Sequence, residues 1–163
     1  MATTALGGNP VHTVGDLPGI GDTAPAFSLV GMDFSEVTPP TGQRMILNIF
    51  PSVDTGVCSA SVRKFNELAA GFEDTAVICV SNDLPMAQAR FCGAEGIENV
   101  TVASAFRSTF GHDYGVTLAD GKWEGLLART VVIVGADGKV TYTQVVPEIA
   151  QEPDYDDVVA ALG

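Results

Sequence analysis

Positive charge is scarce in this chain: 8 Lys and Arg stand against 20 Asp and Glu in 163 residues, a formal net charge of −12. Binding to phosphates needs clustered cations, so this shortage argues against nucleic acid and anionic membrane as partners. Cysteine is also sparse. Three copies are too few, and odd in number, for a secreted disulfide scaffold, and no Cys-x-x-Cys pair suggests zinc. His12 and His112 stand apart from each other and from other ligand types, so no metal site is expected. No apolar run reaches the ~18 residues of a membrane span. Residues 1–10 lack a cationic stretch followed by an apolar one, so no secretory signal is expected and the expected address is the cytoplasm. Thiols are kept reduced there, and cysteines serve as packing, metal ligands or redox groups.

What is present is ample apolar material, 46% of residues, punctuated by 18 Gly and 9 Pro. That suits one domain over residues 1–163, able to bury its own core. Residues 1–25 are rich in Gly, Pro and Thr, with short apolar pieces near Val11 to Val14 that suit a small hairpin. Strands are expected at Ala26 to Val30, Arg44 to Phe50, Thr75 to Val80, Val100 to Ala103, Leu126 to Val134 and Val140 to Val146. Helices are expected over Gly56 to Phe72 from its apolar stripe, Pro85 to Ala94 from a first-turn Pro with Gly93 and Gly96 near its end, Ala105 to Tyr114, and Pro153 to Leu162 with three Asp near its start. Asp33 to Gly42 reads as a polar loop, and Asp137-Gly138 as a hairpin turn. The sum is an α/β fold with a mixed central sheet flanked by helices.

The stretch that carries chemistry is Phe50-Pro51-Ser52-Val53-Asp54-Thr55-Gly56-Val57-Cys58. A buried strand stops at Pro51, a tight loop follows, and Cys58 falls in the first turn of the next helix. Unpaired N–H groups and partial positive charge at a helix start stabilise a thiolate. The loop amides and the Thr55 hydroxyl can face a small oxygen-bearing substrate. Val62, Phe65 and Ala69 continue the stripe from Cys58, which puts the thiol in a pocket rather than on the open surface. A free thiol of pKa ~8.5 is only about 3% ionised at neutral pH, and a helix end supplies about 1 kcal/mol, so a cation is needed too. Of the five arginines, Arg63 would point away from Cys58, whereas Arg129 interrupts an apolar strand and requires a partner. Arg129 is the candidate. Taken singly, each residue has a plainer role, the cysteine as core filler and the arginine as a snorkelling surface residue. The conjunction is harder to dismiss.

Pro51-x-x-x-Thr55-x-x-Cys58 resembles the signature of peroxiredoxins. The longer runs Asn48 to Asn66 and Ser81 to Gly96 are similar to the bacterial thiol peroxidase subfamily, and the likeness extends from Gly8-Asn9-Pro10 to Glu152-Pro153-Asp154-Tyr155. The resemblance implies a thioredoxin-like fold with an N-terminal β-hairpin, no cofactor, and a homodimer. It implies reduction of hydrogen peroxide and organic, often lipid, hydroperoxides, with thioredoxin as reductant. By position it makes Cys58 the peroxidatic cysteine. Thr55 would hydrogen-bond thiolate and peroxide, and Pro51 would shield the sulfenate. Arg129 would activate the sulfur and help bind peroxide. Cys92 aligns with the resolving cysteine that joins Cys58 in an intrachain disulfide. Cys79, inside Ala-Val-Ile-Cys-Val, is expected to be inert core.

Two other functions suit parts of the sequence. Ser52-x-x-Thr55-Gly56 after a buried strand, in an acidic α/β chain, superficially fits the phosphate loop of a flavodoxin-like electron carrier. Against it, the loop comes late in the chain, and one Trp offers little to stack on a flavin. A non-catalytic, peroxide-sensing redox switch would use the same Cys58 and Cys92 to alter a partner interface.

Overall fold

The computed structural model describes residues 1–163. Chain order is β1 (Thr3–Leu6), β2 (Asn9–His12), β3 (Leu29–Gly31), β4 (Glu36–Val37), β5 (Arg44–Ile49), α1 (Gly56–Ala69), β6 (Thr75–Ser81), α2 (Pro85–Glu95), β7 (Thr101–Ser104), α3 (Phe110–Asp113), β8 (Thr130–Val134), β9 (Val140–Val145) and α4 (Tyr155–Leu162). β1 and β2 form a separate hairpin, whose turn residues Gly7 and Gly8 have φ of 61° and 83°. Positive φ at both positions matches the right-handed twist of a tight hairpin, and glycine meets it without strain.

The remaining strands form one mixed sheet in the order β4-β3-β7-β6-β5-β8-β9, with β5, β6 and β7 parallel and the other pairings antiparallel. Alternation along the central strands divides the core in two. Ile46 and Phe50 of the β5 segment, with Val77 and Cys79 of β6, pack against Cys58, Val62 and Phe65 of α1, Cys92 of α2 and Val158 of α4. Met45, Leu47, Ile49, Ile78 and Val80 face the other way, onto Phe27, Phe110 and Tyr114. α1, α2 and α4 thus cover one face, and the single turn of α3 lies on the other. Ile49, the last residue of β5, pairs with Val80, the next to last of β6, so loops 50–55 and 82–84 leave the sheet side by side. Open α/β sheets place their binding sites at such carboxyl ends.

Four local expectations change. The strand expected over Ala26 to Val30 is confined to Leu29–Gly31, where it pairs with β4 and β7. The strand expected from Leu126 begins only at Thr130, because residues 126–128 pair with the 116–118 segment instead: Leu118 N–H donates to the Leu126 carbonyl and Ala128 N–H to the Val116 carbonyl. Arg129 therefore sits just before β8. The helix expected from Ala105 shrinks to Phe110–Asp113, since Ser104 and Ser108 hydroxyls accept the N–H groups of Phe106 and Phe110 and hold the preceding residues in turns. Loop 33–42 carries the two-residue strand β4, too short to show a period.

Candidate active site

Phe50 N–H still bonds to the Val80 carbonyl, and Pro51, with no N–H to give, ends the pairing. The chain turns so that Thr55 becomes the N-cap of α1: its Oγ1 accepts the Cys58 N–H at 3.2 Å and donates to the Ser52 carbonyl at 3.2 Å. Thr55 N–H reaches the same carbonyl. Cys58 is thereby held in the first turn of α1, with its side chain fully buried among Phe50, Val53, Val62 and Phe65. Ser61 Oγ donates to the Cys58 carbonyl, and buried Asn48 donates to Ser61 Oγ, which ties this turn to β5.

Arg129 arrives from the other side. Antiparallel pairing of Thr130 with Ile49 sets the residue before β8 beside the residues that follow β5. Its guanidinium is 1% exposed; Nε donates to the Ile149 carbonyl at 2.7 Å and Nη2 lies 3.1 Å from Cys58 Sγ. No carboxylate forms an ion pair with it, and its Nη1 has no hydrogen-bond partner. A buried cation without a counter-anion costs several kcal/mol, and an unmatched buried donor about 1–3 kcal/mol more. The arrangement is suited to an anion at the sulfur and an oxygen acceptor next to it.

Cys92 lies on the inner face of α2 with 5% exposure, in the same apolar cluster as Cys58. All three cysteines are free thiols. Burial pushes the Cys92 thiol up to about 11 and that of Cys79 up to about 12, the latter offset only in part by the Asn48 amide. Desolvation disfavours the charged form of each. Pro51 is buried at the start of the loop. The structure thus brings Pro51, Thr55, Cys58 and Arg129 together, with Cys92 entering the same cluster from a second helix.

Sequence reasoning missed the residue that holds the loop. Asp83 accepts from Ser52 Oγ at 2.6 Å, from Val53 N–H at 2.8 Å and from Ser81 Oγ at 2.6 Å. Parallel pairing of β5 with β6 would have put residues 51–53 beside 81–83, but that pairing had to be known first. The same contacts tell against a phosphate loop, because the Val53 amide is taken and the group taking it is a carboxylate. Ile149, which anchors Arg129, contributes a backbone carbonyl and leaves no side-chain signature. Among the residues described, no group of three or more His, Cys, Asp or Glu could hold a metal ion, and no helix is long and apolar enough to cross a membrane.

A family model described as Redoxin matches residues 20–159, and the chain belongs to that family. It is 59% identical over 165 residues to a thiol peroxidase of Mycobacterium tuberculosis, covering 100% of this chain and 99% of that protein. It is 57% identical to a thiol peroxidase of Corynebacterium glutamicum, covering 99% of each. The crystal structure of a peroxiredoxin-like protein from Aquifex aeolicus matches with a TM-score of 0.95 and 45% identity, over 98% of this chain and 95% of that one. Likeness of this extent makes the chain a thiol-dependent peroxidase of the peroxiredoxin type, with the thioredoxin-like fold of that group.

Proposed function

We propose that the chain reduces hydrogen peroxide and organic, including lipid, hydroperoxides through Cys58, resolves the product with Cys92, and is recycled by thioredoxin. The observation that carries this reading is the 3.1 Å contact between the buried Arg129 guanidinium and Cys58 Sγ. A charge-assisted hydrogen bond from a cation favours the thiolate, which is the reactive form. The thiolate attacks the terminal peroxide oxygen, forming S–O as O–O breaks. Sulfur is oxidised to the sulfenic acid, and the departing alkoxide or hydroxide takes a proton to leave as alcohol or water. Unpartnered Nη1 of Arg129 is suited to hold a peroxide oxygen. Thr55 keeps the first turn of α1 in place, and its hydroxyl, on turning from the Ser52 carbonyl, would donate to the thiolate or the peroxide, while Pro51 shields the sulfenate from a second oxidation.

In the second step the Cys92 thiol attacks the Cys58 sulfenate; an S–S bond forms and water leaves. A dithiol then reduces the disulfide to two thiols and is itself oxidised. In the folded form Cys92 is held neutral by burial, its thiol pushed up to about 11. It becomes a competent nucleophile once α2 loosens and water reaches the sulfur.

The residues 1–163 act as one domain. A homodimer is supported by exposed Leu84, Met86 and Phe106, apolar side chains on two segments joined by the Ser104 hydroxyl bond to the Asp83 carbonyl. A cytoplasmic setting, where thiols are kept reduced, suits a reaction that starts from the Cys58 thiol. The test is peroxide consumption by Cys58→Ser with thioredoxin and its reductase. The reading expects background activity only, and turnover at the wild-type rate would refute it.

A further inference from the structure

The two working cysteines sit on different helices, and the contacts between their supporting segments converge on one side chain. Asp83, half-buried in the turn before α2, receives two hydrogen bonds from the Cys58 loop, Ser52 Oγ at 2.6 Å and Val53 N–H at 2.8 Å. From its own side it receives Ser81 Oγ at 2.6 Å. Ser81 in turn accepts from Gln88 Nε2 on α2 at 3.1 Å, and Gln88 also donates to the Ala103 carbonyl at 2.9 Å. On the far side, Ser52 carries the constraint onward: its carbonyl takes both the N–H and the hydroxyl of Thr55, the N-cap that fixes Cys58. A continuous chain of hydrogen bonds therefore runs from the Cys92 helix through Asp83 to Cys58. Two exposed ion pairs also join these segments, Arg90 with Asp54 at 3.5 Å and Arg63 of α1 with Glu95 of α2 at 3.7 Å, and Asn66 of α1 accepts the N–H groups of Glu98 and Asn99 just past the far end of α2. Such ion pairs contribute little in water.

α2 needs such a tether. Its buried face is only Pro85, Gln88 and Cys92, and one of the three is polar. α1 buries Cys58, Ser61, Val62 and Phe65 and is the better anchored helix. A segment with few apolar contacts opens before its neighbours, and polar contacts then decide when.

Building on the assignment of Cys58 and Cys92 above, we propose that Asp83 is a positioning residue that clasps the Cys58 loop to the Cys92 helix. Closed, it holds the arrangement that reduces peroxide; released from Ser52 and Val53, it lets the two cysteines meet. The clasp therefore sets the balance between the two steps. Tighter contact favours the attack on peroxide and leaves the sulfenate longer exposed to a second peroxide. Weaker contact slows the attack and hastens disulfide formation.

Asp83→Asn keeps size and shape but removes the negative charge and turns one acceptor oxygen into a donor, so the charge-assisted contacts to Ser52, Val53 and Ser81 become weaker, neutral ones. Two rates are read on the full chain by rapid quench. With Cys92→Ser as parent, dimedone trapping of the Cys58 sulfenate reports the peroxide step. With all cysteines present, mass spectrometry under excess hydrogen peroxide reports the ratio of Cys58 sulfinic acid to disulfide. Asp83→Asn is expected to slow the first about tenfold, the worth of one such hydrogen bond, and to lower the ratio several-fold. Ser52→Ala, which removes one contact and leaves the Ser81–Gln88 side intact, is expected to move both in the same directions by less. It decides the matter if Asp83→Asn does not fold. An unchanged peroxide step, or a ratio that rises or stays level, would overturn the clasp. Absence of any Cys58 sulfenate in the parent would instead overturn the assignment on which it rests.

Discussion

Cys58 and Cys92 share one apolar cluster and are nearly equally hidden from solvent, yet their surroundings differ in kind. Cys58 has a helix N-terminus behind it and a guanidinium 3.1 Å away. Cys92 sits near the other end of its helix, where its carbonyl accepts N–H groups from Gly96 and Ile97, and burial alone acts on its thiol. Burial by itself makes a cysteine inert; burial beside a cation makes it reactive. Cys79, in the same cluster, falls on the inert side with its thiol raised to about 12. The difference teaches that burial holds the second cysteine neutral in the folded form, so the proposed resolving step requires α2 to loosen.

The comparison is sharpened most by removing Cys92. In Cys92→Ser, one equivalent of peroxide is expected to be reduced at close to the wild-type rate, while steady turnover with thioredoxin falls about 100-fold or more. Stopped-flow and coupled assays separate the two, and a lost first step would show that Cys92 also serves the attack. The next largest effect concerns the cation. Arg129→Ala is expected to slow the peroxide step roughly 10- to 100-fold, as for loss of a buried bond to a charged group of about 1.5–3 kcal/mol. Arg129→Lys should recover only part of it, because a single ammonium cannot serve both the Ile149 carbonyl and the sulfur with the fork of a guanidinium.

The smallest effect is on stability. The folded-state values of Cys79 and Cys92 lie above those of free thiols, so the native state holds their protons more tightly than the unfolded chain. Their contribution is complete below pH ~9 and is lost as pH rises toward the folded values. Urea denaturation of Cys79→Val should show a shallower fall between pH 9 and 11 than the wild type, with turnover at neutral pH unchanged.

Much of the site was legible because it is local. Pro51, Thr55 and Cys58 lie within one strand–loop–helix passage, where period, breaker and cap residues speak directly. Arg129 was legible for another reason: a cation in an apolar run needs an explanation, and in a chain with few cations there were few rivals. The central strands and α1 were readable from their periods, α2 from Pro85 and the glycines at its end, and α4 from the aspartates at its start. What failed were elements whose form depends on distant partners. Leu126 to Ala128 have the composition of a strand, but residues 116–118 take their hydrogen bonds. Asp83 reads as an ordinary turn residue until β5 and β6 are laid in register and Ser52 arrives beside it.

The central claim is that Cys58 and Cys92 form the working pair and Cys79 does not. It is tested most directly by treating the reduced protein with one equivalent of hydrogen peroxide, quenching with an alkylating agent, and mapping the cysteines by peptide mass spectrometry. The account predicts a disulfide joining the peptides of Cys58 and Cys92, with Cys79 alkylated only after denaturation. A bond from Cys58 to Cys79, or a stable Cys58 sulfenic acid beside a free Cys92, would contradict it.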